Sequence, residues 1–160
     1  MGMYKRMFNP NKKMTNMKKM ILTIACVFSF VAIIKADNYQ PITRNQLPQK
    51  AQTFLSTHFA DAKTSLLRRE LDVTELNYDV IFTDGSKVEF DRRGYWTEVD
   101  CINQPLPDGI VPAEIANYIN AHYPGAKVIK IERDHREYEV KLNNRVELTF
   151  NKKLQLIDID

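Results

Sequence analysis

Three histidines, two cysteines and 20 acidic residues are the groups in this 160-residue chain that could do chemistry. Histidine is the first choice as a base or metal ligand near neutral pH. His58 and His122 stand in matching contexts: His58-Phe59 is followed by Ala62-Lys63, and His122-Tyr123 by Ala126-Lys127. A catalytic group is seldom needed twice in the same structural slot. Both therefore read as helix-terminal histidines that favour the helix dipole. His135 lies in Asp134-His135-Arg136, a turn-like stretch with no second His or Cys at ligand spacing. The chain has no G-x-S-x-G elbow and no glycine-rich phosphate loop. The residues thus point to no catalytic set, no metal and no cofactor. Asp91, Glu98, Asp100, Asp158 and Asp160 read first as solvated strand positions, with a weak cation site as the alternative.

The cysteines separate by context. Cys26 sits inside the apolar run 20–34, which Lys18 and Lys19 precede and Lys35-Ala36-Asp37 ends. A basic start, an apolar stretch of about 15 residues and a small residue at the exit describe a secretory signal peptide. A comfortable membrane span needs about 20 apolar residues. Cleavage is expected after Ala36, with translation starting at Met14 or Met17 and residues 1–13 an over-extended start. Thr23 stands where a lipobox wants Leu, and a long apolar stretch follows Cys26, so lipidation is not expected. Cys101 is then the sole cysteine of the mature chain and reads as a small buried residue, with pairing between chains as the alternative.

Removing the leader reverses the charge. Residues 1–36 hold seven of the 23 basic residues and none of the acids, so the remainder has 16 basic and 20 acidic residues, net −4. A nucleic-acid partner, which needs a basic face, is not expected. The expected location is the periplasm or the exterior, with no membrane span after cleavage and another protein as partner.

The elements follow from an internal repeat. Leu47-Pro48, Phe54-Leu55 and His58-Phe59 match Val111-Pro112, Tyr118-Ile119 and His122-Tyr123 at an offset of 64. Tyr78, Val80, Phe82, Val88 and Phe90 match Tyr138, Val140, Leu142, Leu148 and Phe150 at an offset of 60. Each copy opens with a helix, marked by Leu47, Ala51, Phe54, Leu55 and Phe59 in the first and Val111, Ile115, Tyr118, Ile119 and Tyr123 in the second. Period-two alternation then predicts four strands per copy: 65–71, 78–82, 88–90 and 95–99, then 127–133, 137–142, 145–151 and 154–159. Asp84-Gly85 signals a type I′ hairpin turn, and Asn143-Asn144 replaces it in the second copy. The expected boundaries are 37–100 for the first repeat, 101–110 for a Pro- and Gly-bearing connector, and 111–160 for the second repeat. The fold class is α+β, two tandem helix-plus-four-strand antiparallel units sharing a curved sheet with the helices on one face.

The stretch YDVIFTDGSKVEFDRRGYW at 78–96, with the recurring His-aromatic-x-x-Ala-Lys helix ends, resembles PepSY-like domains of the beta-lactamase-inhibitor-like type. The resemblance covers roughly residues 44–160. It implies small exported proteins with helices on the convex side of a curved antiparallel sheet. The beta-lactamase inhibitor protein is similar in architecture and binds an enzyme with its concave face. No residues here match its enzyme-contacting loops, so an enzyme target follows from fold analogy alone.

Alternation assigns the faces. Val80, Phe82, Val88, Phe90, Val99, Val140, Leu142, Leu148, Phe150 and Ile159 should face the helices. Asp79, Ile81, Glu89, Trp96 and Glu98 should occupy the open face, joined by Glu139, Lys141, Glu147, Thr149, Leu156 and Asp158. A Trp among charges suits an interface anchor, unless Trp96 packs across the strand onto Ile81 or a loop. The expected function is an exported non-enzymatic binding module, an inhibitor or modulator of a secreted or envelope enzyme, with a small-ligand- or cation-binding envelope protein as the alternative.

Overall fold

The computed structural model describes residues 39–71 and 75–160. The expected over-extended start, signal peptide and cleavage site at 1–36 lie outside the described residues. One antiparallel sheet of nine strands runs in chain order: β1 Tyr39–Pro41, β2 Thr64–Leu71, β3 Leu76–Phe82, β4 Lys87–Phe90, β5 Trp96–Asp100, β6 Val128–Arg133, β7 Glu137–Leu142, β8 Glu147–Asn151 and β9 Leu156–Ile159. Helix α1, Gln49–His58, precedes β2, and α2, Ala113–His122, precedes β6. The fold is α+β with an antiparallel sheet. Eight strands were expected; the ninth, β1, is a three-residue edge strand whose Pro41 suits a position where one N–H would face solvent.

Both helices begin at a proline. Pro48 and Pro112 occupy the N-cap positions, where a missing N–H is harmless. Phe59 and Tyr123 close the helices by donating their N–H to the carbonyls of Leu55 and Ile119. Ala51 and Leu55 of α1, with Ile115 and Ile119 of α2, are buried in one cluster with Val80, Phe82, Val88, Phe90, Val99, Val140, Leu142, Leu148 and Phe150. That strand set is the one alternation assigned to the helix side. Phe90 and Phe150 are fully buried, and each meets a helix ring edge-on, Phe54 and Tyr118 respectively. Burying a side chain of that size contributes roughly 1.5–3 kcal/mol.

Two turns differ from expectation. A type I′ turn requires positive φ at both central residues. Between β3 and β4 only Gly85 has positive φ, at 88°. Gly85 donates its N–H to the Phe82 carbonyl, and Phe82 donates to Ser86. This is a type I turn closed by a left-handed residue in a G1 bulge. Between β7 and β8 the left-handed position falls on Arg145, φ 74°, not on Asn143 or Asn144. Asn144 instead uses its side-chain oxygen to accept the N–H of Val146.

Candidate functional site

The side of the sheet away from the helices carries the charge. Strand pairing aligns one residue from each of eight strands into a single row: Arg68, Asp79, Glu89, Glu98, Glu132, Glu139, Thr149 and Asp158. The neighbouring row runs Leu66, Ile81, Lys87, Asp100, Lys130, Lys141 and Glu147. Of the expected open-face residues, Asp79, Ile81, Glu89, Glu98, Glu139, Lys141, Glu147, Thr149 and Asp158 lie in these two rows. Glu132 and Lys130 join them from β6. They were missed in the sequence because the partner of each strand edge was not assigned there.

Like charges directly opposite each other on a sheet are unfavourable, and four glutamates in succession raise that cost. The second row compensates. Lys87 Nζ lies 2.7 Å from Glu89 and 2.8 Å from Glu98, while Lys130 Nζ lies 3.0 Å from Glu98 and 3.4 Å from Glu132. Burial pushes the Glu98 carboxyl up, but hydrogen bonds from Lys87 and Lys130 outweigh it and hold the group below its usual range. Burial opposes the charge of both lysines, and their carboxylate partners more than offset it, raising each. At the other end, Arg68 Nε bonds Asp79 at 2.7 Å and its guanidinium stacks 3.6 Å from the Tyr39 ring centroid. Asp79 is only 4% exposed, so its carboxylate is shielded while the Arg68 side chain stays partly open to solvent.

Glu139 is different. Its cross-strand neighbours are Glu132 and Thr149, and it makes no ion pair among the described residues. Burial, followed by repulsion from Glu132 and Glu137, raises its carboxyl above the usual value. It lines a hollow of about 440 Å³ with Glu132, Glu137, Lys141, Thr149 and Asp158. Among the described residues no group of three or more His, Cys, Asp or Glu is arranged to hold a metal ion.

Trp96 and Leu156 are not on this face. Phe90 pairs with Trp96 while Glu89 pairs with Glu98, which leaves Thr97 as an extra residue. The same shift makes Ile157 extra between Leu156 and Asp158. Each bulge resets the alternation and turns the preceding residue to the side of its buried phenylalanine partner. Trp96 and Leu156 pack against the core cluster. The Arg133 guanidinium lies 3.8 Å from the Trp96 ring centroid, and its Nε donates to the Trp96 carbonyl at 2.8 Å. Trp96 therefore packs neither on Ile81 nor into an open-face anchor. Ile159 does share the helix side, opposite buried Leu148, but is 51% exposed because β9 is an edge.

The remaining reactive side chains fit structural roles. His122 Nδ1 lies 2.9 Å from the Tyr118 carbonyl with its ring stacked on Tyr118, and His58 packs on Phe54. His135 is 83% exposed in a turn beside Asp134. Cys101 is buried with a free thiol, which burial pushes up in pKa. The sheet thus has a helix side of buried apolar residues and an opposite side of ordered charge, rows of acids neighboured by lysines.

The model of the family described as "Putative beta-lactamase-inhibitor-like, PepSY-like" matches residues 76–158. The chain belongs to this PepSY-like family. Solved structures similar to the PepSY-like chain include a "putative periplasmic protein" from Bacteroides vulgatus, 50% identical, with a TM-score of 0.76 over 78% of this chain and 98% of that one. A "putative calcium-regulated periplasmic protein" from Bacteroides thetaiotaomicron is 53% identical, with a TM-score of 0.76 over the same shares of the two chains. A second Bacteroides vulgatus "putative periplasmic protein of unknown function" is 32% identical, with a TM-score of 0.71 over 76% of this chain and 97% of that one. No curated protein matches the chain. Among the described residues, no helix is long and apolar enough to cross a membrane.

Proposed function

We propose that this PepSY-like chain is an exported, non-catalytic binding module whose open sheet face docks a protein partner outside the cytoplasm. The observation that carries the reading is the charged row crossing eight strands on a face that neither helix covers. Its acids outnumber its cations, so the partner it fits presents a basic surface. Binding is steric and electrostatic: the sheet supplies a rigid platform, the acids set orientation, and an enzyme so covered is blocked or modulated. The similarity to periplasmic proteins supports export, with the leader at 1–36 removed after Ala36. The matched hairpins and bulges support two copies of one unit, 37–100 and 111–160, joined by 101–110. Capture from envelope extract tests the docking face. Glu89→Lys combined with Glu139→Lys should lose the partner that the wild type retains, and raised salt should weaken wild-type capture. Equal retention by the variant overturns the reading.

A second reading rests on Glu139. Its unpaired carboxylate, beside Glu132, Glu137 and Asp158 in one hollow, suits a divalent cation such as calcium. The 53% identical relative described as calcium-regulated supports it. Those carboxylates are not gathered into a ligand cluster, so a cation would have to draw them together. A rise in melting temperature with calcium, lost in Glu139→Gln, favours this reading by linkage; no shift at millimolar calcium removes it.

A further inference from the structure

Strands β5 and β9 are built alike. Each follows a fully buried phenylalanine, Phe90 or Phe150, and each carries the same one-residue bulge. Each ends in an acid-apolar-acid triplet, Glu98-Val99-Asp100 and Asp158-Ile159-Asp160. They differ in their outer neighbour. The outer edge of β5 is covered by β6, with Val99 opposite Ile131 and Asp100 opposite Lys130. Val99 is fully buried as a result, and Lys130 reaches Glu98 at 3.0 Å. The outer edge of β9 has no strand beside it among the described residues. Ile159 is 51% exposed and Ile157 54% exposed.

The backbone is also unspent there. Asp160 exchanges both hydrogen bonds with Glu147 on β8. Antiparallel pairing alternates inward and outward groups, so the N–H and C=O of Ile159 point away from the sheet. An exposed edge flanked by apolar side chains is a template for an added strand.

We infer that the outer edge of β9 is a second interaction site, which receives an extended segment of another protein as a tenth, antiparallel strand. The segment carries an aliphatic residue opposite Ile159 and a lysine or arginine opposite Asp160, as Ile131 and Lys130 do against β5. A second copy of this chain is the poorer occupant, because its own edge offers Asp158 and Asp160 where the site calls for a cation. The site adjoins the open face, where Asp158 and Asp160 stand opposite Thr149 and Glu147, but its recognition groups are the outward N–H and C=O of Ile159, which the open face does not use.

The probe is a blocked peptide of sequence AKVIKIERD, residues 126–134 of this chain, titrated into the protein while backbone amide resonances are followed. Saturable shifts should centre on Ile157, Asp158 and Ile159. Ile159→Pro removes the outward N–H and leaves the β8 ladder intact, so it should stay folded and lose the peptide. Asp160→Lys should weaken binding about fivefold, the weight of one cross-strand charge pair, and a peptide with glutamate in place of the Lys130-equivalent lysine should restore it. Shifts centred on Glu89 and Glu139, no saturable shift, or unchanged binding by Ile159→Pro each overturn the proposal. So does β9 line broadening that grows with protein concentration in the absence of peptide, which would give the edge to a second copy.

Discussion

At Trp96 and Glu139 single side chains decide how the two faces behave. Trp96 is half-buried against the core with Arg133 across its ring. Trp96→Ala should therefore lower stability by about 2 kcal/mol in chemical denaturation and leave open-face binding unchanged. An interface anchor would show the opposite pair of effects. Glu139 carries a pH signature. Its folded-state pKa lies above its unfolded value, so the folded state holds the proton longer and stability falls as pH rises through that interval. Glu139→Gln should be more stable than wild type at pH 7, and the two should converge at pH below the ordinary carboxylate range. Glu98 has the reverse sign: its stabilising contribution is present above the unfolded pKa and disappears as pH falls through the depressed folded value. Arg145 holds a left-handed backbone at φ 74° where the other hairpin has Gly85. Arg145→Gly should raise stability by about 0.5–1 kcal/mol, net of glycine's greater unfolded-state freedom.

Among the elements, the two helices and eight of the nine strands were legible, because alternation and the 3.6-residue stripe report directly on which side chains are buried. Val80, Phe82, Val88 and Phe90 alternate without interruption, and all are buried. The bulges were not legible. Thr97 and Ile157 are ordinary strand residues, and nothing in their identity says that one residue is extra. One extra residue reverses every side chain beyond it, which is why Trp96 and Leu156 were expected on the wrong face while Glu98 and Asp158 were not. Strand β1 escaped notice because three residues show no period. The close packing at Gly94 was not legible either: a Cβ there would lie 2.8 Å from Pro48 Cβ and 2.9 Å from the Ala51 nitrogen. With φ at 82°, Gly94→Ala should cost more than about 1 kcal/mol, a loss that thermal unfolding would register and that ties the β4–β5 turn to the start of α1.

For the whole molecule, one sheet serves two purposes. Its helix side supplies stability through the shared apolar cluster, and its other side presents the charged rows. Because Lys87 and Lys130 hold Glu89, Glu98 and Glu132, the acids of the row left without a lysine among the described residues, towards the β7–β9 end, are Glu139 and Asp158. The sequence carried most of these residues but not their alignment, which depends on β5 pairing with β6 across the connector. The most direct measurement is quantitative capture from envelope extract with four baits: wild type, Glu89→Lys with Glu139→Lys, Trp96→Ala, and Ile159→Pro. Docking through the open face requires a partner held by the wild type, Trp96→Ala and Ile159→Pro, and lost by the charge-reversed bait. Retention by the charge-reversed bait, or loss with Trp96→Ala while that variant remains folded, would contradict it.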